Sequence, residues 1–213
     1  MTKKLILFTN NAHKVKEVQQ ILDLEALPVI PYTQIFNKTI EVVEDGSTFK
    51  ENAIIKVNAL PPHPDHIYLA EDSGIEVAHL NGAPGIYSAR YAGPNATKQE
   101  MCQKLLQDCY GAGDRSAQYQ AVMALRFPDN NMGLLQTVSG IVKGHLSYEM
   151  AGDGGFGYDP IFIPEDHEKT FAQMPAAQKH ALSHRYHALE QVRIILNNYL
   201  ETTKSKSGTH QQQ

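Results

Sequence analysis

Residues Ile67 to Gly74 read Ile-Tyr-Leu-Ala-Glu-Asp-Ser-Gly, an apolar run that ends on two adjacent carboxylates, a hydroxyl and a glycine. The apolar part has the pattern of a buried strand, so Glu71 and Asp72 stand where the chain leaves its core. Neighbouring carboxylates taken out of water repel each other and lose hydration unless a cation accompanies them. A hard metal such as magnesium, which takes oxygen ligands and keeps several waters, removes that penalty. Gly74 would let the backbone turn sharply at this point. The alternative is a strand end that opens into a solvated acidic turn, and these residues alone leave both readings open.

The chain has 213 residues, enough for one well-buried core or two small lobes sharing one. Its formal net charge is −4, and no run of lysines or arginines is longer than two. That excludes a broad electrostatic footprint for nucleic acid but leaves room for a local basic pocket around one phosphorylated ligand. The apolar stretch after Lys3-Lys4 is too short for a signal-peptide core, and nothing later approaches a membrane span. Cys102 and Cys109 are seven apart in a helical pattern, hence about 10 Å apart along the axis and beyond disulfide reach. They read as packed or partly exposed thiols in a reducing cytoplasm.

Lys4 to Phe8 reads as a buried strand, followed by a polar loop and by Val15, Val18, Ile21 and Leu22 at helical spacing. Val29-Ile30 is a second strand. Thr48-Phe49-Lys50-Glu51 has the form of a capping box that opens a helix ended by Pro61 and Pro62. After the acidic turn, Ile75 to Ala78 reads as a strand. Thr97 to Glu100 opens another capped helix that runs to about Cys109. Ala117 to Phe127 and Leu134 to Val142 form two long strands joined through a turn at Pro128 to Asn131. The glycine-rich loop Gly152 to Gly157 precedes a strand at Pro160 to Ile163, and a last helix spans about Arg185 to Leu200. From about residue 203 the polar tail has nothing to bury and is expected to be disordered. The fold class is α/β with a mixed sheet, as a single domain over residues 1–202.

Four groups of residues carry chemistry. Thr9-x-Asn11-x-x-Lys14 lies between a strand and a helix, where backbone N–H groups, a hydroxyl, an amide and a lysine can cradle phosphate; ordinary helix capping accounts for the same residues. Glu44 precedes Asp45-Gly46, and Asn52 and Lys56 share a helix face at i, i+4, a face that also reads as merely solvated. In Gly154-Gly155-Phe156-Gly157-Tyr158-Asp159-Pro160 the glycines permit close approach, Phe156 offers a flat face for a base and Asp159 an acceptor; the other reading is a tight turn. Lys179 and Ser183-His184-Arg185 supply donors ahead of the last helix, or simply surface charge.

In this order, the pieces resemble the inosine triphosphate pyrophosphatase family, which acts on non-standard purine nucleoside triphosphates. The matching segments also include Gly46-x-Thr48-Phe49-x-Glu51-Asn52-Ala53, Gly82 to Tyr91, Lys169-Thr170-Phe171-Ala172-x-Met174 and Ser183-His184-Arg185, together spanning roughly residues 4 to 200. The resemblance implies an elongated mixed sheet with flanking helices, two lobes around an active-site cleft, and a homodimer. It implies conversion of ITP, dITP or XTP to the monophosphate and pyrophosphate with Mg2+, which would keep deaminated purines out of DNA and RNA. It makes Asp72 the catalytic carboxylate and Glu44, Asp72 and Glu71 the metal carboxylates. Thr9, Asn10, Asn11, Ala12, His13, Lys14 and Ser73 would hold the triphosphate. Phe156, Gly157, Tyr158, Asp159, Lys179, His184 and Arg185 would hold base and sugar. Asn10 stands where bacterial members commonly have glycine, and Tyr186 where a small residue is common.

Two rival functions share parts of this pattern. A sensor that binds a purine triphosphate without cleaving it gains nothing from an acidic cluster beside phosphate. A pyrophosphatase for modified pyrimidines would share the reaction and metal but not the base, and the segments Phe156 to Asp159 and Ser183 to Arg185 favour purine by resemblance. A scaffolding role fits least, because so many polar residues fall in loops.

Overall fold

A computed structural model describes residues 3–128 and 135–208, with residue 13 and residues 204–208 described by backbone alone. Six strands form one mixed sheet in the order β2-β1-β3-β4-β5-β6. β1 (Lys4–Leu7) lies parallel to β2 (Val29–Pro31) and to β3 (His66–Val77). β4 (Ser116–Arg126), β5 (Leu135–Leu146) and β6 (Phe162–Pro164) continue antiparallel from β3. The helices are α1 (Ala12–Leu22), α2 (Tyr32–Phe36), α3 (Phe49–Asn58), α4 (Lys98–Asp108), α5 (Ala176–Leu182) and α6 (His184–Gly208).

Successive strand side chains point to opposite faces, and β3 divides its residues accordingly. Ile67 and Leu69 pack with α1 and α6, through Val18, Leu22, Leu189 and Val192. Tyr68 and Ala70 pack with α3, through Phe49, Ala53 and Val57. A third cluster gathers Ile75, Val77 and Tyr119 with Cys102, Leu105 and Cys109 of α4 and with Phe162 and Phe171. β3 therefore passes between two clusters on opposite faces in its first part and enters the third beyond Gly74.

The largest departure from the sequence reading is at the acidic segment. No turn occurs at Gly74, because β3 continues unbroken from His66 to Val77, pairing Glu71 with Met123, Asp72 with Val122 and Gly74 with Gln120 of β4. Gly74 is needed for space: a Cβ there would come within 2.5 Å of the Gly85 carbonyl oxygen. Ala78, expected to end a strand, begins a short 3-10 turn (Ala78–Leu80).

Other boundaries moved less. Thr48 caps α3 by accepting the Glu51 N–H at 3.1 Å, but the Glu51 carboxylate turns to the backbone and hydroxyl of Ser47 at 2.6 Å, so the box is not reciprocal. At α4 both halves of the Thr97–Glu100 box form. Pro160 lies in a 3-10 turn (Asp159–Ile161), which delays β6 to Phe162. α6 continues through residue 203, where a disordered tail was expected, to Gly208, with Thr202 and Thr203 hydroxyls donating to the Asn198 and Leu200 carbonyls. Residues 209–213 and the turn residues Asp129 to Asn131 lie outside the described residues.

Candidate active site

β1 stops at Leu7, five residues before α1 begins at Ala12. In the intervening loop Thr9 Oγ1 accepts the Asn11 N–H at 3.1 Å, and Asn11 Oδ1 accepts the Lys14 N–H at 3.4 Å. The capping role is thus realised, and it leaves this loop at the C-terminal end of a parallel strand, where open α/β sheets bind ligands. The neighbouring edge of β3 is paired up to Leu69, whose carbonyl accepts the Phe8 N–H at 2.8 Å. It is covered again at Ile75, whose N–H donates to Ser88 Oγ at 2.9 Å. Glu71, Asp72 and Ser73 occupy the interval.

Being consecutive in a strand, Glu71 and Asp72 face opposite sides of the sheet. On the α1/α6 side Glu71 is buried and accepts from the Arg185 guanidinium (Nε–Oε2 and Nη2–Oε1, both 3.0 Å), with Lys14 Nζ at 3.3 Å. Ser73 Oγ donates to it at 3.0 Å. Burial pushes the Glu71 carboxyl up, but Arg185 and Lys14 outweigh it and hold the group well below the usual carboxylate range. Arg185 is raised in turn because Glu71 and Glu17 outweigh its burial. Lys14 is lowered by burial, against the pull of Glu71.

On the α3 side Asp72 accepts from Lys56 Nζ at 2.7 Å and from Asn52 Nδ2 at 3.2 Å. Lys56 Nζ also meets Glu44 Oε2 at 2.9 Å and donates to the Glu71 carbonyl at 3.2 Å. Asn52 Oδ1 accepts the Gly46 N–H at 2.9 Å, which ties the Glu44 loop to the same helix. Burial raises Asp72 above its ordinary value even though Lys56 opposes it. A carboxylate raised in this way is a better proton acceptor than one held down by cations, as Glu71 is.

A third group lies on the α1/α6 side. Asp159 is buried and accepts from the Phe156 N–H at 2.6 Å and from Lys179 Nζ at 2.5 Å. Gly155 takes φ 68°, and a Cβ on it would collide with the Asp159 carboxylate, so the tight loop requires glycine there. Burial raises Asp159, with Lys179 opposing. The Phe156 ring is 54% exposed, with Lys179 Nζ 4.5 Å and the Arg185 guanidinium carbon 5.7 Å from its centre. Tyr158 is buried, and its hydroxyl donates to the Ser88 carbonyl at 2.8 Å. His184, the first residue of α6, is buried; burial and Arg185 lower it to about 3, so it is neutral.

The profile of the Ham1 family matches residues 5–195. The chain belongs to the Ham1 family. A dITP/XTP pyrophosphatase of Coxiella burnetii is 42% identical over 196 residues, covering 91% of this chain and 96% of that protein. A dITP/XTP pyrophosphatase of Bacillus subtilis is 37% identical, covering 91% and 97%. Among solved structures, a HAM1 protein from Coxiella burnetii has a TM-score of 0.83 at 41% identity, covering 92% of this chain and 99% of its own. The Staphylococcus aureus Ham1 protein has a TM-score of 0.84 at 36% identity, covering 92% and 100%.

In this Ham1 chain the residues singled out by sequence form one neighbourhood at the open edge of β3, divided by the sheet. Lys14, Ser73, Asp159, Lys179, His184 and Arg185 lie with Glu71 or the Phe156 loop; Asp72 and Glu44 converge on Lys56. Glu71, expected beside the metal carboxylates, is separated from Asp72 by the strand and occupied by two cations. Asn10, Asn11 and Ala12 are exposed in the loop and at the start of α1, and the side chain of His13 lies outside the described atoms. Lys56 was read as a solvated helix residue, yet it and Asn52 are buried. The missed signal is periodicity: Phe49, Asn52, Ala53, Lys56 and Val57 recur at the spacing of one buried helix stripe. Glu17, which meets Arg185 at 3.4 Å and His180 at 3.3 Å, had no such signal.

Among the described residues no group of three or more His, Cys, Asp or Glu side chains is placed to hold a metal ion. The Asp72–Glu44 pair nonetheless fits a hard cation by its chemistry. It offers carboxylate oxygens only, around a point already occupied by the positive charge of Lys56, and magnesium needs just one or two carboxylates beside water and substrate phosphates.

Proposed function

We propose that this chain hydrolyses non-standard purine nucleoside triphosphates (ITP, dITP and XTP) to the nucleoside monophosphate and pyrophosphate. The observation that carries this reading is the divided pair Glu71 and Asp72, which sets a cation-binding carboxylate and a raised, proton-accepting carboxylate on either side of one open strand edge. Relatives of this chain named dITP/XTP pyrophosphatase support the substrate class.

The triphosphate lies along the β1–α1 loop, with Lys14 and the first-turn N–H groups on its phosphates. Lys14, held in place by Glu71, presents positive charge toward it, while Arg185, held by the same carboxylate, stands beside Phe156 on the base side. Asp72 takes the proton of the water that attacks the α-phosphorus, a role worth roughly 10²- to 10⁴-fold. Lys56 faces the negative charge that gathers on the departing pyrophosphate. Asp72 and Glu44 would hold Mg2+, which when bound supplies further charge neutralisation at the phosphates. The base rests on Phe156, while Lys179, positioned by Asp159, donates to the purine 6-carbonyl. Adenine presents an amino donor there, and a site built on such hydrogen bonds rejects a mismatched partner by up to about 10⁴- to 10⁵-fold.

The homodimer that the resemblance implies is part of this reading, as is a cytoplasmic setting, supported by buried free thiols at Cys102 and Cys109. No helix among the described residues is long and apolar enough to cross a membrane. The deciding experiment is separation of products from ITP and ATP, each with Mg2+ and with excess EDTA. IMP and pyrophosphate from ITP, with Mg2+ only, are expected. IDP and orthophosphate would overturn the cleavage site, turnover in EDTA would overturn the metal, and binding without turnover would make the protein a sensor. A single-chain mass by light scattering would overturn the dimer.

A further inference from the structure

The segment from Gly152 to Gly157, which carries Phe156, contains neither helix nor strand, and Gly152 to Phe156 are exposed. Gly152, Gly155 and Gly157 take φ of 83°, 68° and 56°. Glycine loses more freedom than any other residue when it is fixed, so a loop of this composition keeps one shape only where bonds from outside hold it. One side is held by the segment after Lys169. Thr170 Oγ1 donates to the Ala151 carbonyl at 2.7 Å, and the Gly154 N–H donates to the Ala172 carbonyl at 3.2 Å.

The other side is held by α4. Lys98 Nζ donates to the Asp153 carbonyl at 2.9 Å and to the Gly154 carbonyl at 3.3 Å. One turn further on, Cys102 Sγ donates to the Gly157 carbonyl at 3.4 Å. Residues at i and i+4 share a helix face, so one face of α4 grips the loop on both sides of Phe156. Burial pushes the Cys102 thiol up to about 12, which keeps its proton in place for this bond.

Helix stability does not account for Lys98. It is the first residue of α4, where the helix dipole is positive and favours an acidic side chain. Thr97 and Glu100 already complete the cap. The ammonium group is directed instead at loop carbonyls 55 and 56 positions away.

We propose that Lys98 is a positioning residue for recognition of the purine base. It clamps the glycine-rich loop from the α4 side and so sets the Phe156 ring and the Asp159 carboxylate where a base meets them. Asp159 is tied to the same loop, since it accepts the Phe156 N–H at 2.6 Å. The proposal rests on the reading that this loop holds the base. Without the clamp the loop spends part of its time in shapes that do not receive a base, and apparent affinity falls with the competent fraction.

The test compares Lys98→Met, which keeps the stem and loses the donors, with Lys98→Arg, which keeps donors. Lys98→Met should raise KM for ITP about 3- to 10-fold. kcat should change by less than about twofold, because a bound substrate has already settled the loop. Competitive inhibition by IMP should weaken by the same factor as KM rises, whereas inhibition by pyrophosphate, which has no base, should not change. Lys98→Arg should stay within about twofold of the wild type in KM. An unchanged KM in Lys98→Met would overturn the proposal. Equal weakening for IMP and pyrophosphate would overturn it as a general disturbance of the site, and so would Lys98→Arg as poor as Lys98→Met. Failure of Lys98→Met to fold would overturn it too, by making Lys98 a support of the fold. Wild-type protein that does not cleave ITP would instead defeat the underlying assignment of the base site.

Discussion

Glu71 and Asp72 are neighbours in sequence and opposites in environment. Glu71 is clamped by Arg185 and Lys14 and held far down as a carboxylate, whereas Asp72 is raised by burial and shares Lys56 with Glu44. A strand places consecutive side chains on different faces, so each carboxylate takes its character from a different layer of helices. The adjacent charges therefore need no common metal to coexist. One anchors cations, and the other keeps a raised carboxyl beside Lys56 and Glu44, where we propose its catalytic role.

The largest expected effect separates them by activity. Asp72→Asn should lower kcat for ITP by about 10²- to 10⁴-fold with the fold retained. Glu71→Gln should reduce kcat far less, and equal losses would erase the distinction. The second contrast is in stability: Glu71→Gln leaves Arg185 and Lys14 without their buried partner and should cost about 3–5 kcal/mol, read by urea unfolding. Asp72→Asn should cost less, because Lys56 keeps Glu44.

Acid sharpens the comparison by a smaller amount. His184 is neutral in the fold down to about 3, while unfolded histidine takes up a proton near 6.5. Between those values the unfolded chain binds the extra proton, so stability should fall as pH drops below about 6.5, by about 1.4 kcal/mol per unit. Glu71 adds a loss of the same sign below about 4.3, the unfolded carboxyl value. Urea midpoints at a series of pH values should show this slope, and His184→Gln should flatten it above pH 5. A wild-type profile that stays level from pH 6.5 to 5 would place a charged His184 in the fold. The smallest effect concerns the base: Lys179→Ala should narrow the preference for ITP over ATP roughly tenfold. An unchanged ratio with a lower rate would move Lys179 from the base to the phosphates.

Much of this architecture was legible in local pattern. The β1–α1 unit, the capped starts of α3 and α4, the long pair β4 and β5 and the apolar stripe of α6 follow from periodicity and capping residues, which act over a few positions. The short connecting helices, α2 and α5 among them, were not legible, because their formation depends on what they pack against. The acidic segment was misread as a turn for a similar reason. Only partners distant in sequence, Met123 and Val122 on β4, keep the strand extended through Glu71 and Asp72.

The sequence by itself determined which side chains can do chemistry here: the loop with Lys14, the carboxylates, the glycine-framed Phe156 and Asp159, and the cations before α6. Their assignment to two sides of one strand edge was decided only by the tertiary structure, as were the burial of Lys56 and Asn52 and the reach of Lys98 to the glycine-rich loop. Residue type sets what a group is able to donate or accept. Its charge state and its partner depend on burial and on contacts across 20 to 114 positions, as Asn52 with Asp72 and Glu71 with Arg185 demonstrate.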